Sequence, residues 1–333
     1  MHDIQPFISK IEYYIPEIDY SNTLLSASNP RVDGIIEKVG IDEKFKADTS
    51  EFATDLGIKA AAKLIKTDPS LSDTIDYIIY CSQSPDYALP GGSSFIQKSL
   101  FPTRHIPAID INLGCSGFVY SLSLAKALIQ SKDATQILII TADTYSKFIN
   151  ENSTSVRTIF GDASCATLVE AKENQIESIL YFDHGTNGDG IPNLIVPNSG
   201  LRKSYTIDGD MEPSELYMSG PKILNFTLNA VPETIGKALK KNNLQIDNID
   251  MFVFHQANKF MLEKLQKKLG IADDKFFISL KGKGNTTSST IPIALKDGLT
   301  KKVIGPEMNV LICGFGVGYS WSTGIVRLNK FIL

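Results

Sequence analysis

The chain of 333 residues lacks the features of several protein classes. No run of about 18 apolar residues occurs, so no membrane-spanning helix is expected. Its four cysteines, Cys81, Cys115, Cys165 and Cys313, are widely spaced and form no CxxC pair. This usage is typical of reduced thiols in the cytoplasm rather than of a disulfide framework.

An excess of positive charge is also absent. The net charge is −4 and the isoelectric point is near 5.7, which argues against a nucleic-acid-binding protein. Residues 1–10 lack a basic segment followed by an apolar one, so no secretory signal is expected and the predicted location is the cytoplasm. The histidines show no metal-ligand spacing, so no metal site is expected; they are His2, His105, His184 and His255.

The strongest chemical signal surrounds one cysteine. Apolar residues over Ile106–Asn112 predict a buried strand, and dense apolar residues from Phe118 onwards predict a buried helix. Cys115 therefore lies at a sharp turn between them, bracketed by Gly114 and Gly117. The free N–H groups and the dipole at the start of a helix favour a thiolate there. From this stretch alone, a small buried apolar residue is an equally good interpretation of Cys115.

The pattern of the first half returns in the second half. The matched pairs are Tyr77–Tyr80 with Met251–Phe254, Ile109–Gly114 with Ile278–Gly284, Ile137–Thr141 with Val310–Gly314, Cys165–Glu170 with Gly324–Leu328, and the helices Thr49–Lys66 with Pro221–Lys241. Alternating strands and helices predict an α/β protein whose parallel sheets carry helices on both faces. We therefore expect two pseudo-symmetric halves, residues 1–175 with the nucleophilic cysteine and residues 176–333 with His255 and Asn285.

Further elements are expected outside the repeat. The patterns predict strands over Tyr13–Ile18 and Ile176–Phe182, a helix over Gly92–Leu100, and a long loop rich in Gly, Asn and Pro over His184–Gly200.

Polar residues follow several of the predicted strands, at the edge where α/β sheets bind ligands. In two halves related by a two-fold axis, the turns with Cys115, His255, Asn285 and Gly314–Gly318 converge. Taken singly, His255 is typical of a hydrogen-bonded core histidine and Asn285 of a turn or helix cap. The segment G-F-G-V-G lacks the GxxxxGK[ST] pattern, so a nucleotide-binding interpretation is weak.

Together, these residues predict nucleophilic chemistry. A Cys–His pair can attack a carbonyl, and an asparagine can orient a base or donate a hydrogen bond to an oxyanion. A protease could use the same groups, although a duplicated α/β chain is not its usual setting.

The motifs resemble those of the β-ketoacyl-acyl-carrier-protein synthase III family of the thiolase-like superfamily. The matching stretches, in the order of the family, are N-L-G-C-S-G-F around Cys115, F-G-D-A-S-C-A at Phe160–Ala166, H-G-T-N-G-D-G at His184, M-S-G at Met218, H-Q-A-N at His255, G-N-T-T-S-S-T-I-P at Gly284 and G-F-G-V-G-Y-S-W at Gly314. The resemblance implies a thiolase-like fold with a layered αβαβα core.

The resemblance also implies roles for the site residues. Cys115 would take the acyl group from a thioester such as acyl-CoA. His255 and Asn285 would then stabilise the enolate formed as malonyl-acyl-carrier-protein loses CO2, and the product would be 3-ketoacyl-carrier protein. A homodimer that needs no cofactor is expected, with Leu89 reaching the acyl pocket of the partner. The oxyanion hole and pocket would be formed by Gly316, Val317, Gly318, Phe315 and Leu89, and carrier or CoA binding by Gln256, Asn258, Lys259 and Lys38.

The sequence departs from the family at recognition positions. The segment Asp33–Phe45 has no tryptophan, and Lys38 stands where arginine is usual. Thr154 stands where the family resemblance expects a second arginine, Lys259-Phe260 follows H-Q-A-N, and Val317 replaces a glycine. We therefore expect a specialised homologue with another acyl donor, such as a carrier-bound one.

Other functions remain open from the sequence. The main alternative is an acyltransferase that passes the acyl group from Cys115 to an alcohol, amine or sugar without decarboxylation. Retention of Asn285 favours condensation, because a plain transferase would often tolerate its loss. Hydroxymethylglutaryl-CoA synthase-like and plant-type polyketide synthase-like activities fit the motifs less well. A non-catalytic binding protein would be expected to lose Cys115.

Overall fold

The computed structural model describes residues 4–173, 177–202 and 214–328. The strands are β1 Ile4–Tyr14, β2 Ile18–Asp19, β3 Phe45–Lys46, β4 Tyr77–Cys81, β5 Ala108–Ile111, β6 Gln136–Asp143, β7 Ala163–Glu173, β8 Asp183–Thr186, β9 Leu194–Ile195, β10 Tyr217–Met218, β11 Met251–Phe254, β12 Asn309–Gly316 and β13 Ser320–Arg327. The α-helices are α1 Asn22–Ser28, α2 Asp33–Val39, α3 Ala53–Thr67, α4 Leu71–Thr74, α5 Gly92–Leu100, α6 Gly117–Gln130, α7 Thr154–Arg157, α8 Gly220–Lys241, α9 Lys259–Leu269 and α10 Thr290–Thr300.

Two sheets with matching strand order form the centre of the molecule. The first has the order β1-β7-β6-β4-β5, and the second has the order β8-β13-β12-β11. In the first sheet β7 is antiparallel to both of its neighbours, β1 and β6, and in the second sheet β13 is antiparallel to both β8 and β12. Strands β4, β5 and β6 are parallel to one another, as are β11 and β12. The expected pseudo-symmetry is therefore present, but the sheets are mixed rather than parallel. Only residues 317–319 join β12 to β13, which is too short for a crossover helix, so this pair forms a hairpin.

Helices cover and separate the two sheets in five layers. α3 and α5 pack on the outer face of the first sheet, and α8 packs on the outer face of the second beside α9. α6 and α10 lie between the sheets and contact strands of both. Their buried leucine, isoleucine and alanine side chains join one apolar core with residues of both sheets. The predicted layered αβαβα core is confirmed.

The predicted strand over Ile278–Gly284 is wrong. No residue of this segment is part of a strand, and residues 281–283 form a turn. Just before the segment, Phe276 makes a single bridge to Phe252 of β11. Gly282 and Gly284 have φ of +74° and +70°, left-handed values that an extended strand does not contain.

Three further boundaries differ from expectation. The first strand ends at Tyr14, ahead of Pro16, which has no N–H for a sheet, rather than covering Tyr13–Ile18. The predicted loop over His184–Gly200 begins within β8, which pairs with β13 through backbone hydrogen bonds. Of the strand predicted over Ile176–Phe182, the described part makes one isolated bridge, at Ile179. The predicted boundary between residues 175 and 176 lies outside the described residues.

Candidate active site

Cys115 lies between β5 and α6, directly before the first turn of the helix. The side chain is 6% exposed. A Cβ atom at Gly316 would lie 2.8 Å from its Sγ, and one at Gly314 would lie 2.6 Å from its carbonyl oxygen. Only glycine at these two positions of β12 therefore allows the second half to approach the cysteine so closely.

His255 follows β11 and is buried at the same end of the second sheet. Its N–H donates to the carbonyl oxygen of Cys313, and its Nδ1 lies 2.7 Å from the hydroxyl of Thr290. The ring of Phe315 packs edge-on against the imidazole at 5.6 Å between centroids. Burial lowers the pKa of His255 to about 3, so the imidazole is neutral at physiological pH.

Asn285 lies on the turn that precedes α10, and its Nδ2 is 3.4 Å from Nε2 of His255. Its Oδ1 accepts a hydrogen bond from the N–H of Thr287 at 3.0 Å, which fixes the orientation of the amide. Its backbone N–H donates to Ile159, and its carbonyl accepts from Gly161, so the turn is joined to the first half of the chain.

The three residues line one small cavity of about 40 Å³. Apart from Asn258, its other walls are apolar or glycine: Ile159, Phe160, Leu194, Met218, Ile223, Ala257, Met261, Phe315 and Gly316. The structure therefore brings Cys115, His255 and Asn285 together, at the ends of strands and starts of helices from both halves.

The thiol of Cys115 differs from the expectation of a thiolate. Burial, followed by the nearby Asp143 carboxyl, raises the pKa of Cys115 to about 12. Hydrogen bonds from the backbone N–H groups of Cys115 and Val317 favour the thiolate and oppose this shift. Desolvation thus has a larger effect on the pKa of Cys115 than the start of the helix, because β12 packs closely against the sulfur.

We therefore expect the alkylation of Cys115 by iodoacetamide to accelerate as pH rises. With a pKa of about 12, the thiolate fraction increases about tenfold per pH unit between pH 7 and 9. Intact-protein mass spectrometry at a series of pH values measures this rate. A plateau near pH 8 would instead mean that the helix and the N–H groups outweigh burial.

A larger cavity of about 300 Å³ begins beside the cysteine turn. Val317 and Gly318 form part of its wall, so Val317 narrows the cavity where the family resemblance expects glycine. Tyr145 donates a hydrogen bond to Oε1 of Gln83 across this cavity at 2.9 Å. The other lining residues are Asn112, Ile191, Leu194, Ile195, Val196, Ser199 and Leu216.

Two of the residues predicted for carrier binding lie at an exposed rim formed by α2 and α9. Nζ of Lys38 lies 4.4 Å from the ring centroid of Phe260, and the side chain of Lys259 packs over Gly40. Asn258 caps α9 by accepting a hydrogen bond from Met261. The rim is therefore continuous with the small cavity, which Asn258 and Met261 line.

The structure contradicts the prediction for Gln256. Its side chain is 1% exposed and bonds only to backbone: Nε2 donates to Phe254, and Oε1 accepts from Ser279. Because this amide is used inside the protein, Gln256 cannot contact a carrier from this position.

Leu89 lies outside the cavity of its own chain. It is 82% exposed in the loop before α5, next to Tyr87, which is 60% exposed. β5 follows this loop and α5, and it forms the end of the first sheet, pairing on one side with β4 in the described part of the chain.

Sequence reasoning missed two residues behind the site. Thr290 contacts Nδ1 of His255, and Asp143 accepts hydrogen bonds from Ser288. The hydroxyl-rich run T-T-S-S-T after Asn285 and the single acid that ends the apolar strand β6 were the available signals.

Metal sites and membrane spans are both absent from the described residues. Among residues 4–173, 177–202 and 214–328, no three acidic, cysteine or histidine side chains are grouped to hold a metal ion. In the same ranges, no helix has the length and apolar character needed to cross a bilayer.

Known proteins resemble this chain along nearly its whole length. Profiles of 3-oxoacyl-[acyl-carrier-protein] synthase III and of its C-terminal region match residues 109–188 and 239–328. β-Ketoacyl-[acyl-carrier-protein] synthase III of Lactococcus lactis is 32% identical, covering 96% of this chain and 98% of that protein. The β-ketoacyl-[acyl-carrier-protein] synthase III 2 of Halalkalibacterium halodurans is 34% identical, covering 96% of each.

Crystal structures agree with the sequence relatives. One 3-oxoacyl-(acyl-carrier-protein) synthase III is 39% identical and superposes with a TM-score of 0.93, covering 97% of this chain and 100% of that one. The 3-oxoacyl-(acyl-carrier protein) synthase of Burkholderia xenovorans is 32% identical, with a TM-score of 0.91 over 98% and 95% of the two chains.

The fold and the site thus define an acyltransferase of the thiolase-like class. Within that class, the chain belongs to the 3-oxoacyl-[acyl-carrier-protein] synthase III family.

Proposed function

We propose that this chain is a condensing enzyme that joins an acyl group on Cys115 to a malonyl unit on acyl carrier protein. The observation that carries the proposal is the convergence of Cys115, His255 and Asn285 on one small cavity. Two neutral hydrogen-bond donors beside a thiol suit a reaction in which negative charge develops on a carbonyl oxygen.

Loading is the first step of the proposed reaction. Sγ of Cys115 attacks the carbonyl carbon of an acyl thioester, the bond to the thiol of the donor breaks, and the proton of Cys115 leaves with that thiol. The N–H groups of Cys115 and Val317, which lie near Sγ, would hold the developing oxyanion. Phe315, Gly316 and Gly318 would shape the wall around the acyl group.

Condensation is the second step. His255 and Asn285 donate to the thioester carbonyl of the malonyl unit, CO2 leaves, and the resulting enolate attacks the carbonyl carbon of the acyl group on Cys115. This role requires the proton of the neutral imidazole on Nε2. It is the tautomer in which Nδ1 accepts the proton of the Thr290 hydroxyl, in place of the carbonyl oxygen of Thr287, which lies 3.0 Å from the same hydroxyl. The enolate carbon bonds to the acyl carbon, the bond from that carbon to Sγ breaks, and the released Cys115 thiolate takes a proton from water. No cofactor is needed.

The rim of α2 and α9 is the proposed docking place for the carrier. Lys38 and Lys259 are exposed there, and a cation suits the phosphate on the prosthetic arm of a carrier protein. Asn258 lies where that arm would enter the cavity. The proposed location of the enzyme is the cytoplasm.

The proposed assembly is a homodimer joined along β5. An edge strand with free backbone groups and two exposed apolar side chains, Tyr87 and Leu89, suits pairing with a second copy. Leu89 would then enter the acyl pocket of the partner.

We expect Leu89→Asp to weaken self-association about tenfold or more, because it would place a charge in an apolar interface. Light scattering over a concentration series should give twice 36.5 kDa for the wild type and a shift towards one chain for the variant. Leu24→Asp is the matched control, since Leu24 is also exposed, at 54%, but lies on α1. A wild-type chain that is monomeric at all concentrations would contradict the dimer.

The deciding experiment for the reaction follows the acyl group by mass. Intact-protein spectra are taken after incubation with a panel of acyl-CoA and acyl-carrier thioesters, and malonyl-carrier protein is then added. An adduct that disappears as 3-ketoacyl-carrier protein forms supports condensation and identifies the acyl group. An adduct that persists favours the alternative, transfer to an alcohol, amine or sugar.

The same panel tests whether the enzyme is specialised. Val317 and the lysines at the rim differ from the family pattern, so we propose an acyl donor other than acetyl-CoA. Rapid turnover of acetyl-CoA with malonyl-carrier protein would contradict this proposal while leaving condensation intact.

A further inference from the structure

Asp143 is a buried carboxyl group that neither proposed step uses. It ends β6, and its side chain is fully enclosed, with 0% exposure. None of the ion pairs found within the described residues includes it. A buried carboxylate without a cation is costly, so it needs other partners.

The partners of Asp143 come from two separate turns. Oδ1 accepts from the N–H of Gln83 at 2.8 Å and from the hydroxyl of Ser82 at 3.4 Å. Oδ2 accepts from both the N–H and the hydroxyl of Ser288, the former at 3.1 Å. The carboxylate thus joins the end of β4 in the first half to the turn before α10 in the second. An ionised carboxylate is acceptor-only, which matches these four donors.

The turn held by Asp143 is the one that presents Asn285. Thr287 has φ of +55°, an unusual conformation for a β-branched residue, and its buried hydroxyl oxygen has no hydrogen-bond partner in the described structure. This conformation aims the N–H of Thr287 at Oδ1 of Asn285 and turns Nδ2 towards His255. Strain of this kind persists only where the surroundings fix it, and Ser288 is the next residue.

We propose that Asp143 is a positioning residue for decarboxylation, which acts through Ser288 on the amide of Asn285. The proposal rests on the proposed condensing function. The carboxylate holds the Thr287–Ser289 turn, the turn holds the amide, and the amide donates to the malonyl carbonyl. Asp143 does not touch the substrate itself.

The same carboxylate favours decarboxylation but opposes the loading of Cys115. Its negative charge raises the pKa of the Cys115 thiol, as the second-largest cause after burial. Loss of the charge should therefore leave acylation of Cys115 unchanged or faster, while decarboxylation becomes slower. A merely structural role would lower both rates together.

The test is to measure the two half-reactions separately in Asp143→Asn. This side chain keeps the shape but places an NH2 group against N–H and hydroxyl donors. We expect CO2 release from malonyl-carrier protein to fall about tenfold or more, with acylation of Cys115 by an acyl thioester within about threefold of the wild type or faster. The control Asp183→Asn removes another buried carboxylate, which accepts from Thr234 and Lys241, and should change neither rate.

A second variant locates the path of the effect. Ser288→Ala removes one of the donors and should slow CO2 release by a smaller factor. If Asp143 acts through Ser288, the double variant should release CO2 no more slowly than Asp143→Asn alone. If the two substitutions instead slow CO2 release by the product of their separate factors, Asp143 does not act through Ser288.

The pH profile gives an independent readout. Burial raises the pKa of Asp143 to about 7, so acidification through pH 7 protonates it and should slow CO2 release in the wild type but not in Asp143→Asn. The other titratable groups that face Asp143 carry no positive charge, and burial raises the pKa of each: Tyr80, Cys81, Cys115, Tyr145 and Asp162.

Three results would overturn the proposal. Asp143→Asn that releases CO2 at the wild-type rate overturns the role of Asp143 and leaves condensation standing. Parallel loss of both half-reactions with a lowered unfolding temperature means that Asp143 is structural only. A wild-type chain that releases no CO2 from malonyl-carrier protein overturns the proposed function, and this role with it.

Discussion

Cys115→Ala should form no acyl adduct, and condensation should fall to background, at least about a thousandfold below the wild type. The sulfur is the proposed attachment point of the acyl group. The change removes one buried atom, so the fold should be retained with a small loss of stability. Intact-protein mass spectra and formation of 3-ketoacyl-carrier protein measure the two effects.

Cys165→Ala is the matched control for this result. Cys165 is also a buried free thiol, but it lies in β7, away from the cavity. Its replacement should leave the adduct and the turnover unchanged. An adduct that survives in Cys115→Ala would mean that another group carries the acyl chain.

Replacing His255 or Asn285 by alanine should separate the two half-reactions. Each change removes one donor to the malonyl carbonyl, which typically costs about 3 kcal/mol of transition-state stabilisation, or about a hundredfold in rate. CO2 release should therefore collapse while Cys115 still accepts the acyl group. The rate of CO2 release and the mass of the acyl-enzyme, measured on the same sample, show the separation.

Asn242→Ala is the comparison for these two variants. Asn242 uses its amide on backbone groups of Tyr181 and Ala238, outside the cavity, so its loss should spare both steps. If His255→Ala also blocked acylation, the imidazole would instead act as a base for the thiol. That outcome would favour the acyltransferase alternative.

The repeat could be predicted because apolar strands are local signals. In both β4 and β11 an aspartate precedes an apolar run, and aligning the two runs predicts that Cys115 and Asn285 lie on equivalent turns. The direction of β13 depends on a three-residue connection, and the turn before Asn285 depends on left-handed glycines, neither of which apolar periodicity records.

The residues that surround the site could not be predicted from the sequence for a different reason. A lone aspartate at a strand end or a threonine five residues after Asn285 has many possible partners, and only tertiary packing selects Ser288 or His255. The expectation of a thiolate failed in the same way, because the helix start is a local feature whereas the enclosure of Sγ comes from β12. The side chain of Gln256 was likewise predicted to bind a carrier, but tertiary packing places it against Ser279, whose N–H donates to its Oε1.

The small size of the cavity around the cysteine has a consequence for the order of events. About 40 Å³ accommodates a few water molecules but not a thioester with its arm. Met218 and Met261 line the cavity, and their unbranched side chains can swing without breaking hydrogen bonds. In the proposed reaction, a carrier arm would therefore have to displace these side chains, which would close again over the acyl-cysteine afterwards. The acyl-enzyme would thus be shielded from hydrolysis, and its lifetime in water would report how often the methionines open.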